Sequence, residues 1–168
     1  RAFFECRKLK EINFENAKFL KEIDENAFQY SGVEKITLDS SYLAKIGEFA
    51  FSSCDKLQSV KIKGTSELSI KSFAFYKSSI TRIDLSETNL EAIYNYAFAR
   101  TQLKEISLPE SLMYIGAYAF DECHLEKLSI PENVNYIPAG IIAKNHNLKE
   151  VEIKSKKPVF FHQHHMIK

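Results

Sequence analysis

The sequence lacks a strong charge of either sign: 23 Lys and Arg stand against 22 Asp and Glu, a formal net charge of +1 in 168 residues. Such a balance makes no field able to gather nucleic acid or an anionic membrane surface, so neither partner is expected. Long hydrophobic runs are missing too. A membrane-spanning helix needs about 20 predominantly apolar residues, and no stretch approaches that, so direct membrane insertion is not expected. Also absent are a Gly-rich phosphate loop, a paired His with Glu at helical spacing, and a Cys-x-x-Cys pair. No Ser, His and Asp set is brought together by the chain pattern either, so catalysis and a cofactor have no ready-made centre. No Asn is followed two places on by Ser or Thr, so N-glycosylation gives no sign of secretion. The first residue is Arg1 and the text begins inside a repeated motif, so the sequence reads as a piece of a longer protein.

What is present is a core and a repeat. A hydrophobic fraction of 45%, with 12% aromatic residues, suffices for one continuous interior. The pattern apolar-x-x-apolar-x-apolar occurs seven times: LKEINF at 9, VEKITL at 33, LQSVKI at 57, ITRIDL at 80, LKEISL at 103, LEKLSI at 125 and LKEVEI at 148, with starts 22 to 24 residues apart. The last four residues of each triplet alternate as a half-buried strand does. One such strand per repeat finds partners by pairing in parallel with its neighbours. The expectation is seven strands in sequence order, with Ile36, Val60, Ile83, Ile106 and Leu128 in one interior column.

Between the triplets runs a second element: LKEIDENAF at 20, LAKIGEFAF at 43, LEAIYNYAF at 90, LMYIGAYAF at 112 and VNYIPAGII at 134. The Ile-to-Phe spacing of five, with Ala before Phe, predicts one tight helical turn whose Phe fills the interior. Pro138 falls where such a helix would begin, the place at which a missing N–H costs nothing. The third copy, ELSIKSFAF, displaces Leu68 by one residue and predicts a local bulge. Two residues before each Phe stand Phe49, Phe73, Tyr96 and Tyr118, which can stack as a ladder at about 4.8 Å per coil.

This pattern resembles the leucine-rich repeat family, in particular the BspA-like (bacterial surface antigen A-like) class, whose copies read I-x-x-x-A-F-x-x-C-x-x-L-x-x-I-x-L-P. The resemblance covers about residues 2 to 153. It implies a leucine-rich repeat solenoid of about seven repeats, with a stacked parallel β-sheet on the concave face and short helical turns and extended segments on the other side. Residues 1–153 would form the solenoid, and 154–168 a C-terminal cap or the start of a further degenerate repeat. Where the common pattern places Asn after the strand, this sequence has Ala17, Ser41, Thr65, Thr88, Ser111 and Asn133. The resemblance implies a non-enzymatic protein-recognition or adhesion module, with a protein ligand and a place at the cell surface or in a secreted protein. A purely architectural spacer is the alternative.

Cys6, Cys54 and Cys123 each lie three residues after the Phe of a copy, and Ser31, Ser78, Thr101 and Asn145 hold the same place elsewhere. They are read as small interior side chains. Cysteines two or three coils apart are about 10 Å or more from each other, beyond the roughly 7 Å that a disulfide allows. A thiol enzyme would need a basic neighbour, which Cys123 has in His124. A metal enzyme would rest on His162, His164 and His165, since imidazoles so spaced can share an ion; the simpler reading is a polar tail, with Phe160 and Phe161 covering the open end.

Two faces compete for a partner. Outward strand positions give the columns Glu11, Lys35, Ser59, Arg82, Glu105, Lys127, Glu150 and Asn13, Thr37, Lys61, Asp84, Ser107, Ser129, Glu152. Neighbours in the first column are mostly of opposite sign, so this surface can satisfy itself, and Arg82 and Lys127 are its candidate contacts. The rival surface is Tyr94, Tyr114 and Tyr136, standing beside the Ile of the second element in three successive copies. Tyrosine buries a large area at small entropic cost, which suits an interface; a stacked pair that merely stiffens the coil would look the same in sequence.

Overall fold

The computed structural model describes residues 1–162. Its strands, in chain order, are β1 (Glu22–Ile23), β2 (Lys35–Asp39), β3 (Lys45–Ile46), β4 (Ser59–Lys63), β5 (Leu68–Ile70), β6 (Arg82–Asp84) and β7 (Leu90–Ile93). They continue as β8 (Glu105–Ser107), β9 (Tyr114–Ile115), β10 (Lys127–Ile130), β11 (Tyr136–Ile137), β12 (Glu150–Ile153) and β13 (Phe160–Phe161). The triplets supply the even-numbered strands; the Ile of the second element supplies the odd ones from β1 to β11, and Phe160–Phe161 supply β13. Each coil therefore crosses two sheets, and every pairing is parallel.

Two features of this architecture differ from the expectation. Instead of seven strands in one ladder, the first sheet holds six in two ladders, β2-β4-β6-β8 and β10-β12, and the first triplet adds a single bridge from Glu11 to Lys35. The second sheet likewise divides into β1-β3-β5-β7-β9 and β11-β13. Ile36, Val60, Ile83 and Ile106 stand in register, whereas Leu128 pairs with Val151 in the separate ladder. The winding amounts to about six turns.

The second difference is that no helix forms among the described residues. The AF segment is a run of overlapping turns. In coil two, which begins at Val33, Ala50, Ser52 and Cys54 donate their N–H groups to the carbonyls three residues back, Gly47, Phe49 and Phe51, at 3.2, 3.1 and 3.4 Å. The residues between them, Phe49, Phe51 and Ser53, donate to Ser72, Ala74 and Tyr76 of the next coil at 3.3, 2.7 and 2.8 Å. A helix would direct all six bonds along its own axis. Here half of them tie the arc to its neighbour, which requires left-handed backbone at Phe49 and Ser53, φ +54° at both.

Pro138 is accordingly no helix start. At the same place after the Ile, Gly47, Lys71, Tyr94 and Gly116 donate N–H groups to Ile23, Ile46, Ile70 and Ile93 of the preceding coil at 2.7, 2.9, 2.9 and 2.8 Å. Proline has no N–H to give to Ile115, and the second sheet stops between β9 and β11. The bulge expected at Leu68 is present: Leu68 pairs Leu90 while Ser69 pairs Ala92, leaving Glu91 as the extra residue.

Two aromatic columns run along the stack, the inner from Phe3 to Phe120 and the outer from Phe49 to Tyr118. Inside, Phe3, Phe28, Phe51, Phe75, Phe98 and Phe120 stack with centroids 5.0 to 5.6 Å apart. Phe28, Phe51, Phe75, Phe98 and Phe120 are fully buried, and burial of each side chain is worth about 1.5 to 3 kcal/mol. Further out, Phe49, Phe73, Tyr96 and Tyr118 stack at 4.9, 5.0 and 5.1 Å, nearly coplanar. Gly140 ends that column, because a Cβ there would lie 2.2 Å from the Tyr118 ring.

Candidate interaction surfaces

On the first sheet the outward charges close on one another. Arg82 pairs with Glu105 at 2.6 Å and Lys127 with Glu150 at 2.8 Å, each across one strand spacing. Ser129 donates to Glu152 at 2.8 Å. The hydrogen bond from Lys127 to Glu150 raises the ammonium pKa above its ordinary value. Both candidate cations of this face are thus engaged within the chain. Exposed pairs of this kind add about 0 to 1 kcal/mol, and what they mainly do is leave the surface neutral.

The tyrosines lie together on the outer side of the second sheet. Tyr114 follows Ala92 in register, giving the outward column Glu22, Lys45, Ser69, Ala92, Tyr114, and Tyr136 pairs with Phe160 in the separate ladder of the next coils. Tyr94, two residues beyond Ala92, meets Tyr114 with ring centroids 5.5 Å apart, and the Lys71 ammonium sits 4.2 Å from the Tyr94 ring centre. The Tyr136 hydroxyl lies 3.1 Å from Nδ1 of His162. Relative exposure is 55% for Met113, 44% for Tyr114, 45% for Tyr136 and 62% for Phe160. Met113 and Phe160 were not among the sequence candidates. Carrying the Tyr114 and Tyr136 register one coil onward, through PVFF, would have found Phe160.

Two of the three thiols, Cys54 and Cys123, face inward, and Cys6 is half-buried. Cys54 donates to the carbonyl of Phe28 at 3.0 Å and Cys123 to that of Phe98 at 3.1 Å, with Thr101 Oγ1 3.3 Å from the Cys123 sulfur. Burial pushes both pKa values up to about 11, so each is a protonated thiol at neutral pH and a poor nucleophile. His124 is exposed while its neighbour Cys123 is buried. His164 and His165 lie outside the described residues. Among the described residues no three His, Cys, Asp or Glu side chains group as a metal site, and no helix is long and apolar enough to cross a membrane.

Two interleaved parallel sheets, an inner Phe column and a recurring turn arc describe a solenoid built of one repeated unit, and the sequence itself carries the signature of a known one. Six copies of the BspA type leucine rich repeat region match over residues 1–87 and 68–161. The chain belongs to the BspA-type leucine-rich repeat family. Among solved structures, a leucine-rich repeat protein of T. pallidum is similar at 27% identity with a TM-score of 0.75, over 84% of this chain and 67% of that one. A leucine-rich repeat protein of Bacteroides ovatus shares the fold at 18% identity with a TM-score of 0.56, over 95% of this chain and 58% of its own. Comparison with curated proteins finds no match. The family and these structures are repeat scaffolds, and the BspA-type repeat fixes the inner positions described above while leaving the outer columns free to differ.

Proposed function

We propose that this BspA-type module recognises a protein partner, in an adhesion or docking role within a surface or secreted protein, through the aromatic strip of its second sheet. The observation that carries the reading is the strip itself. Tyr94, Met113, Tyr114, Tyr136 and Phe160 stand side by side on four successive coils, and Met113, Tyr114, Tyr136 and Phe160 are among the most exposed large apolar residues. Aromatic residues and Met are enriched in interfaces because they exchange much water-exposed area for little lost rotamer freedom. The first sheet, whose candidate cations Arg82 and Lys127 are already paired, is the weaker contact surface. That same self-pairing favours a second reading, a spacer that presents no contact of its own.

The test uses a partner whose binding to the parent chain has been established by titration calorimetry. Changing Tyr94, Tyr114 and Tyr136 together to Ser should weaken binding by at least about a hundredfold, given roughly 2 kcal/mol or more for each buried interface tyrosine. Arg82→Glu with Lys127→Glu should leave it nearly unchanged. The reverse result would move the contact to the first sheet. Parent-like binding by both folded variants would remove both faces and leave the spacer.

A further inference from the structure

We infer that the boundary between coil five, which begins at Leu103, and coil six, which begins at Leu125, is a built-in seam at which residues 125–162 open as a unit, with Pro138 setting the weakness. Both sheets lapse at this one boundary: β8 is the last strand of its ladder and β10 the first of the next, and β9 and β11 stand in the same relation. The boundary before it keeps both ladders, through Ile83 to Ile106 and Ile93 to Ile115. The boundary after it keeps them too, with Phe160 and His162 donating to Asn135 and Ile137 at 2.9 and 2.8 Å.

Across the seam the arc bonds persist. Tyr118, Phe120 and Glu122 donate to Ala139, Ile141 and Ala143 at 3.0, 2.9 and 2.9 Å, and the Asn133 side chain donates to the Glu110 carbonyl at 2.9 Å. One further backbone bond, from the His124 N–H to the Leu103 carbonyl at 3.0 Å, crosses at the corner before β10; otherwise the arc is tied while neither sheet is paired, which is the arrangement of a hinge with its axis along the arc. A cavity of about 470 Å³ opens where the ladder lapses, lined by Glu105, Ile106 and Ser107 on one side and Lys127 and Ser129 on the other. Ile106 is half-buried there, although its register mates Ile36 and Ile83 are buried. Pro138 gives the cause on the second sheet, and the first sheet lapses at the shortest repeat interval, 22 residues from Leu103 to Leu125. In a one-dimensional array, interfaces between neighbours set where the stack comes apart.

The seam runs between Tyr114 and Tyr136. Opening it separates the two halves of the aromatic strip, so a partner spanning both tyrosines would close it; this consequence rests on the recognition reading above. The seam itself is tested without any partner, by native-state hydrogen exchange followed residue by residue on the whole chain. Amides whose hydrogen bonds hold β10 to β12 and β11 to β13 should exchange through a common opening, faster than those of the β2 to β8 ladder. Pro138→Ala restores a donor opposite Ile115, and relative to the control Pro131→Ala it should slow that opening about fivefold, the ratio that one net backbone hydrogen bond supplies. Exchange of residues 125–162 in one event with residues 33–122 would overturn the seam, as would equal rates in the two proline variants. If the seam is present but a partner of established affinity leaves its opening rate unchanged, that partner does not bridge Tyr114 and Tyr136, so the recognition reading fails and the seam stands.

Discussion

At equivalent places on the outer side of the second sheet, the two ends of the solenoid carry opposite chemistry. In the first coils the column reads Glu22 then Lys45, and the Lys45 ammonium lies 2.7 Å from Glu22 and 3.2 Å from Asp24. In the last coils the equivalent places hold Tyr114, Tyr136 and Phe160. Beneath them the interior is nearly constant: Ile23, Ile46, Ile70, Ile93, Ile115 and Ile137 are all buried, with Phe28 through Phe120 stacked behind. A repeat constrains what one coil presents to the next, because each interior side chain must fit its own copy above and below. It places no such demand on what faces water, so outer columns can specialise without cost to the stack.

The largest expected effect tests the shared interior. Phe98→Ala should cost about 3 to 5 kcal/mol of stability through the cavity left between Phe75 and Phe120, read by chemical denaturation. A parent-like unfolding curve would show that the halves do not share a packed column. Next come the thiols, one in each half. Their folded pKa values of about 11 stand above the ordinary 9.0, so both are protonated in the folded chain where the unfolded chain has lost its protons. Stability should therefore fall as pH rises from 9.0 towards 11, by on the order of 2 kcal/mol for each thiol. Cys54→Ser and Cys123→Ser should each remove a similar share of that loss in stability measurements across this range. Unequal shares would mean that the interiors differ after all.

The smallest effect belongs to the paired end. A hydrogen bond from the Glu25 backbone, and then the Lys45 ammonium, hold the Asp24 carboxyl below its ordinary 3.8. A depressed carboxylate stabilises the fold above that value, and the stabilisation is lost as pH falls through the lower folded pKa. Lys45→Ala should slightly flatten the acid limb of melting temperature against pH in this window. Tyr114→Lys, in the other half, should leave the limb unchanged. Matching effects from the two variants would erase the contrast between the ends.

Much of this was legible in the sequence because a repeat reports its own geometry. The triplet register, the two aromatic columns, the inward cysteines and the Leu68 irregularity all follow from spacings that recur. Hydrogen-bond direction was not legible: a five-residue Ile-to-Phe spacing fits one turn of helix as well as an arc that shares its N–H groups with the next coil, and left-handed backbone at Phe49 or Tyr96 leaves no compositional mark. Pro138 was misread for that reason, since its meaning depends on which neighbour the missing N–H would have served. The tyrosine positions were visible in the text. Their continuity with Met113 and Phe160 required the second sheet, whose strands of two to four residues are too short to announce themselves as periodicity.

The alternation of bonds along the arc works as a reading frame. From each second-element Ile to the Cys, Ser, Thr or Asn that closes the arc is always eight residues, as in Ile23 to Ser31, Ile46 to Cys54 and Ile137 to Asn145. Even steps in that stretch speak to the coil itself and odd steps to its neighbours, so inserting one residue would exchange the two roles for every residue downstream and turn buried side chains outward. Length drifts elsewhere: one residue separates Ser31 from Val33, and two separate Cys54 from Leu57. Corners can gain or lose a residue because no parity runs through them. Sequences that elongate or shorten this solenoid should therefore do so at corners or by whole coils, and an odd-length change inside an arc should be rejected even where every substituted residue is apolar.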